Sequence, residues 1–337
     1  MFSRSRTLPL SVLLLTTTLA SLAALPSQAA QEEGSKVWVL MKDGQAVEGT
    51  IGITTLKFAM GNSSRDIKVR DILSYSSGQA ATPEEMSRIT AGLTAVAGTD
   101  RVARETAVAD LTDIGLPVMS PLLVAYKDTD AHEPNPLYHL FARIVPGYAD
   151  SPSRMLDMIR LANGDTFRGK LVTASLDVDQ GDKGNLKVAI SAVRRLAVRR
   201  DAINKTFTLE ALRHSTPIEF LDTGVVVTPT SAMEERTDGY VRLSFDIDGW
   251  SSDADGIKVP GPNYKTNLVD GYPFGATVGR VGPKGARWLA GRHATKHDLG
   301  MGRLYFAVND NGHWQNNIGS FRVRLHVTDA YDLGDPQ

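Results

Sequence analysis

"GRLYFAVNDNGHWQNNIGSF", residues 302–321, sets a polar loop between two apolar runs. Arg303 to Val308 reads as one strand, and Phe321 to Val327 as the next. Between them, residues 309–321 hold four asparagines, an aspartate, a histidine and a tryptophan. Asn and Asp gather in loops because they tolerate left-handed backbone and make Asx-turns. Two readings therefore stand side by side: the loop only turns the chain, or it holds a cation or a sugar.

The surrounding sequence favours strands. From about Pro217 to Val327 short alternating segments recur, among them "IEFLDTGVVVT" (218–228), "YVRLSFDIDG" (240–249), "GATVGRVG" (275–282) and "SFRVRLHV" (320–327). Turn residues separate them and helical periodicity is absent. That pattern predicts an antiparallel β-sandwich over residues 215–330.

Upstream lies an internal repeat. A strand meets Asp43-Gly44, and Gly49 opens the next; a second strand meets Asn163-Gly164, and Gly169 opens its successor. Asp-Gly and Asn-Gly between alternating strands are strong hairpin signals, because both residues of such a turn accept positive φ. Leu56 and Leu176 then stand at one offset from the turn, and Ile72 and Val193 close each unit. The expectation is two small SH3-like β repeats, 31–80 and 151–205, flanking a helical segment at 81–150. Thr82-Pro-Glu-Glu85 supplies an N-cap with Pro at the first helical position. Met86, Ile89, Leu93 and Val96 share one helical face, and Val102, Ala103, Ala107, Leu111 and Ile114 share another. The whole is mainly β, with a domain boundary near 200–215.

Composition narrows the class. Residues 1–30 read as a cleavable signal peptide: Arg4 and Arg6, an apolar stretch to Leu25, then Pro26-Ser-Gln-Ala-Ala30. Periplasmic or secreted localisation follows, with no membrane span expected in the mature chain. Cysteine is absent, which excludes disulfides and thiolate metal sites. Basic and acidic residues number 37 and 38, without the basic excess of a nucleic-acid binder. There is no Gly-x-Ser-x-Gly, no phosphate loop and no other nucleophile–base pattern, so no enzyme is expected.

Residues 217–330 resemble the PA-IL-like (LecA-type) family of calcium-dependent, galactose-binding bacterial lectins. The resemblance rests on "FLDTGVVVT" (220–228), "FDIDGW" (245–250), "ATVGRVG" (276–282) and above all "GRLYFAVNDN" with "NNIGSF" (302–321). It implies a galactose-binding-like β-sandwich, Ca²⁺ as cofactor and a galactose-like carbohydrate as partner. A backbone carbonyl near Asp253 joins the ligand set by that resemblance alone.

The chemistry of Asp310, Asn316 and Asn317 stands apart from it. Calcium takes six to eight oxygen ligands from carboxylates, amides and carbonyls. These three residues offer one carboxylate and two amide oxygens. Trp314, Tyr264 and Tyr272 are candidate rings for the apolar face of a pyranose, with His313, Asn263 and Asn317 as its polar contacts. The loop departs from the family pattern, since His313 or Trp314 replaces a ligating threonine. "KVPGPNYKTNLVDGYP" (258–273) lacks the family's His and Gln sugar contacts.

Other motifs receive plainer readings. His293 and His297 decorate a loop, Asp246 and Asp248 a solvated strand face, and "DVDQGDKGN" (177–185) a hairpin tip. Arg194, Arg195, Arg199 and Arg200 read as a solvated strand edge. The sequence thus predicts an exported, non-enzymatic lectin-like protein. Residues 31–210 would be a platform for an envelope partner or for self-association. The alternative is an envelope scaffold that keeps the fold without sugar binding.

Overall fold

Gly44 and Gly164 adopt φ of 91° and 93°, a backbone that side chains disfavour, and each closes a hairpin turn as the Asp-Gly and Asn-Gly pairs predict. The computed structural model describes residues 34–127, 156–215, 220–243, 250–257, 271–310 and 316–334, with Leu137, Leu140 and Ile144. The signal-peptide reading, Asp246, Asp248, Asn263, Tyr264, His313 and Trp314 fall outside them. The protein is mainly β-strand with a smaller helical region.

The first repeat comprises β1 (Ser35–Met41), β2 (Ala46–Ile51), β3 (Thr55–Met60), β4 (Ser63–Lys68) and β5 (Ile72–Ser76). The second comprises β6 (Asp157–Leu161), β7 (Thr166–Leu171), β8 (Ser175–Asp179), β9 (Asn185–Ala189) and β10 (Val193–Glu210). A 3₁₀ turn, Val69–Asp71 or Ile190–Ala192, precedes the last strand of each. Rather than standing as two separate bent sheets, the copies exchange strands. β1 pairs with β10 and β5 with β6, so each copy's last strand lies beside the other's first. β2 pairs with β8 and β3 with β7 in the same reciprocal way. The two last strands, β5 and β10, pair with each other. One core results, with Val37, Val39, Leu56 and Phe58 packed among Ile159, Leu176, Val178 and Val193.

The helices are α1 (Pro83–Ala97), α2 (Arg101–Ile114) and α3 (Met119–Lys127). Thr82 accepts from the Glu85 N–H while the Glu85 carboxylate accepts from the Thr82 N–H, a complete capping box. Ile89, Leu93 and Val96 pack against Leu111, Ile114, Val118 and Leu122, with Leu137, Leu140 and Ile144. Met86 and Val102, expected on the buried faces, are 42 % and 48 % exposed; both lie on the first turn of their helices, at the margin of that contact. No single helix among the described residues is long and apolar enough to cross a membrane.

Arginines bind the helices to both β regions, which corrects the reading of residues 194–200 as a solvated edge. Arg194 is 1 % exposed. Its guanidinium meets the Glu85 carboxylate with both forks, Nε to Oε1 at 2.7 Å and Nη2 to Oε2 at 2.5 Å, and Nη1 donates to the Ser77 carbonyl at 3.0 Å. Arg195 donates to the Asp113 carbonyl at 2.9 Å. From the C-terminal side Arg303 pairs with Asp113 and Asp222, and Arg280 with Glu105. Arg199 pairs with Asp329, and Arg200 donates to the Arg70 carbonyl at 3.0 Å. A guanidinium, with five donors in a fixed fork, can reach several acceptors at once in such buried places, which an ammonium does less well.

β10 carries the chain into the C-terminal region without interruption. Its first third, residues 193–198, pairs with β1, and residues 199–210 pair with the last strand, β18 (Ile318–Asp332). The strand thus runs through the place where composition suggested a boundary. The remaining strands are β11 (Leu221–Val227), β12 (Ala232–Arg242), β13 (Ser251–Ser252), β14 (Thr277–Val281), β15 (Arg287–Leu289), β16 (His293–Lys296) and β17 (Gly302–Val308). One antiparallel group runs β10, β18, β12, β16, and a second runs β11, β17, β14, β15. Phe207, Leu209, Phe321, Val323 and Leu325 from the first share a core with Leu221, Leu304, Phe306, Val308 and Trp288 from the second. β17 and β18 therefore deliver the two ends of the asparagine-rich loop from opposite strand groups.

Candidate functional site

Asp310 and Asn317 arrive from those two strands and meet. Both are buried, at 1 % and 4 % exposed. The Asn317 amide nitrogen donates to Asp310 Oδ2 at 2.6 Å, to Ser215 Oγ at 2.8 Å and to the Ala211 carbonyl at 3.1 Å. A carbonyl and a carboxylate can only accept, so the NH₂ of Asn317 must face them and its Oδ1 must face away. That oxygen is buried and meets no donor among the described residues, and the same holds for Asn316 Oδ1. An unpaired buried acceptor costs about 1–3 kcal/mol.

Asn309, which the sequence reading passed over, is fully buried at the end of β17. Its amide nitrogen donates to the carbonyls of Tyr272 and Pro273 at 3.2 and 3.1 Å, which fixes its orientation by the same logic. Its Oδ1 is likewise buried without a donor. Its backbone carbonyl accepts from the Gly275 N–H at 2.7 Å. Ala211 and Ser215 were also missed, because they lie in the stretch taken for a boundary. A bridge from Ser215 to Val308 and the His214 carbonyl accepting from the Val308 N–H hold that stretch to β17.

Asp253 stands at the surface of the adjoining 250–257 loop. Its carboxylate accepts from the Asp255 N–H at 3.0 Å and lies 3.6 Å from Arg292. Its carbonyl accepts twice, from Ser252 Oγ at 2.6 Å and from the Gly256 N–H at 3.1 Å. The loop reaches the Asp310 region through Ser252. A Cβ built on Gly275 would lie 2.7 Å from the Ser252 Cβ, so glycine lets the two segments close up there. Tyr272, a candidate ring, packs against the Phe220, Val278, Tyr305 cluster and donates its hydroxyl to the Arg287 carbonyl at 3.1 Å.

Glu235, on β12, is a second buried group that the sequence reading did not single out. It is fully buried with Oε2 unpaired, and burial pushes its carboxyl up to about 7; the Thr237 hydroxyl counteracts this and the Asp255 charge adds to it. Only its alternation with Met233 and Thr237 on the inward face of β12 could have marked it. His293 lies on β16, a strand and not a loop, with Nε2 3.4 Å from Glu234. Among the described residues no group of three or more His, Cys, Asp or Glu is placed to hold a metal. A cation at the loop would therefore depend on Asp310 and amide oxygens.

A hard cation suits that donor set. Asp310, Asn316 and Asn317 supply neutral and anionic oxygens of the kind calcium takes, and fewer than its six to eight positions, leaving room for other oxygen ligands.

No protein-family model matches the chain, and no curated protein matches it. Among solved structures the chain is similar to one described as "EclA N-terminal domain; PllA-like lectin". The two share 18 % identity over 38 % of this chain and 98 % of the other, with a TM-score of 0.30. The similarity is distant and partial.

Proposed function

We propose that the protein is an exported, non-enzymatic, carbohydrate-binding protein whose Asp310, Asn316 and Asn317 hold a calcium ion. The observation that carries this reading is that the two ends of this loop bring together a buried carboxylate, Asp310, held by the Asn317 amide nitrogen, and two buried amide oxygens, Asn316 Oδ1 and Asn317 Oδ1, that meet no donor among the described residues. Oxygens that lack a donor can serve a cation, which needs acceptors only. Bound there, calcium would supply Lewis acidity toward the vicinal hydroxyls of a saccharide, each a neutral oxygen ligand that also donates hydrogen bonds. Asn317 orients the Asp310 carboxylate through their hydrogen bond, and Ser215 with Ala211 fixes Asn317 in turn. Export rests on the N-terminal pattern, and a galactose-like ligand on the family resemblance.

A second reading has one observation in its favour. The Asp253 carbonyl already accepts two hydrogen bonds, from Ser252 and Gly256, which fills both of its lone-pair directions. A scaffold that keeps the strands without the sugar site would look the same there.

Calcium titration calorimetry on chelator-stripped protein, with parallel thermal melts, separates the two. A ligand bound only by the native state stabilises by about 2.7 kcal/mol at a hundredfold excess over Kd. A melting shift that Asp310→Ala abolishes supports the calcium site, and a glycan array with calcium then identifies the sugar. No heat and no shift at millimolar calcium leaves the scaffold reading.

A further inference from the structure

The outward face of β10, β18 and β12 carries a ladder of polar side chains. Glu234 stands across from His326, which stands across from Asn204. One row along, Arg236 stands across from Arg324. Between these rows lies a depression of about 390 Å³ lined by Asn204, Thr206, Glu234, Arg236, Arg324 and His326.

The Arg236–Arg324 pair is the informative feature. Like charges directly opposed on neighbouring strands are destabilising, and a face that needed only water could place a neutral residue at either position. Each guanidinium has its own carboxylate. Arg236 lies 2.8 Å from Glu234, and Arg324 pairs with Asp238. Both arginine side chains remain more than half exposed, at 64 % and 54 %. His326 Nδ1 lies 2.7 Å from Asn204 Oδ1, which holds the ring in place beside the depression.

The charge arithmetic selects the ligand. An anion would have to displace two carboxylates already in place, and a cation would meet two guanidiniums. A neutral polyol meets neither obstacle. A hydroxyl both donates and accepts, so a vicinal diol can donate to a carboxylate and accept from the guanidinium paired with it. Toward the loop the same face turns apolar. Ile318, 51 % exposed, directly follows Asn317, and Tyr240, 57 % exposed, lies diagonally across from it on β12. A Tyr ring with an aliphatic neighbour offers a flat apolar surface for the C–H face of a pyranose.

We infer that this sheet face is a second, cation-independent saccharide site for a neutral oligosaccharide, running from Tyr240 to the Arg236–Arg324 depression. The choice of a saccharide rests on the function proposed above; the site itself does not use Asp310 or calcium.

The test is a glycan array of neutral and acidic oligosaccharides probed in EDTA and in calcium with the full chain, Asp310→Ala, Arg324→Ala and Tyr240→Ala, with melting temperatures measured in parallel. Arg324 is exposed, so its removal should leave the melt unchanged. The expected result is binding of neutral oligosaccharides in EDTA that Asp310→Ala retains and Arg324→Ala and Tyr240→Ala each weaken at least tenfold. No binding in EDTA, with calcium-dependent binding intact, overturns the sheet-face site and leaves the calcium site standing. Binding confined to acidic glycans and abolished by salt also overturns it, since that is ion exchange on the arginines. No glycan bound with or without calcium overturns both readings.

Discussion

Tyr75 and Leu196 face each other across β5 and β10, and they are the same position of the two repeats. Ile72 matches Val193, so three residues on Tyr75 matches Leu196. The pairing around them is reciprocal: Ser74 meets Ala197, and Ser76 meets Arg195. A local twofold axis therefore passes between these two side chains, and the repeats relate as the halves of an intertwined dimer fused into one chain.

Neither half should fold alone. A segment of about 45 residues buries too little apolar surface for stability, and residues 34–80 would lack the partners of β1 and β5. That segment expressed alone should give a disordered spectrum, and mixing it with residues 156–200 should restore strand signal. In the full chain Leu196→Ala should cost about 2–5 kcal/mol, the range for emptying a buried leucine site. Chemical denaturation measures it.

The Arg194–Glu85 pair should show the asymmetry of buried charge. Removing one partner strands the other away from water, at about 3–5 kcal/mol. Glu85→Ala should therefore lower stability strongly, also because it removes the acceptor in the α1 capping box. The double variant Glu85→Ala with Arg194→Met should lose less than the two single losses combined, which a double-mutant cycle measures.

Glu235 should make stability fall as pH rises. Its folded value of about 7 lies above the ordinary 4.5, so the folded state holds the proton more tightly. The associated stability is complete below about pH 4.5 and is lost as pH rises through 7. Its size is about 3 kcal/mol, at 1.36 kcal/mol for each pH unit between the two values. Glu235→Gln should flatten this part of the stability–pH profile and raise the melting temperature at pH 8.

Asn316→Asp tests the calcium site by adding charge rather than removing it. A carboxylate where the buried, unpaired Asn316 Oδ1 now stands should lower the melting temperature in EDTA, because burial disfavours the charged form. In millimolar calcium it should raise the melting temperature above that of the unmodified protein, because affinity rises with ligand charge. A lower melting temperature in both buffers would count against the site.

The turns were legible because Gly44 and Gly164 take a backbone that few other residues accept, and α1 was legible from its cap. Partnership was not. Alternation in a strand reports which face is buried and says nothing about which strand lies alongside, so the exchange between repeats left no local mark. Arg194 was misjudged because burial of an arginine depends on a carboxylate more than a hundred residues distant in sequence. Asp310, Asn316 and Asn317 stood out by composition. Asn309, Ala211 and Ser215 did not, since their contribution comes from hydrogen bonds made across the fold.

The eighteen residues of β10 have a mechanical consequence. A force applied at the Asp310 loop would pull on β18, and β18 is laced along residues 199–210 of β10. A pull along the strands would load those bonds in shear, many at once, rather than unzipping them one by one. The first six residues of β10 are gripped by β1 and β5, so tension at the loop passes straight into the paired repeats without crossing a flexible joint.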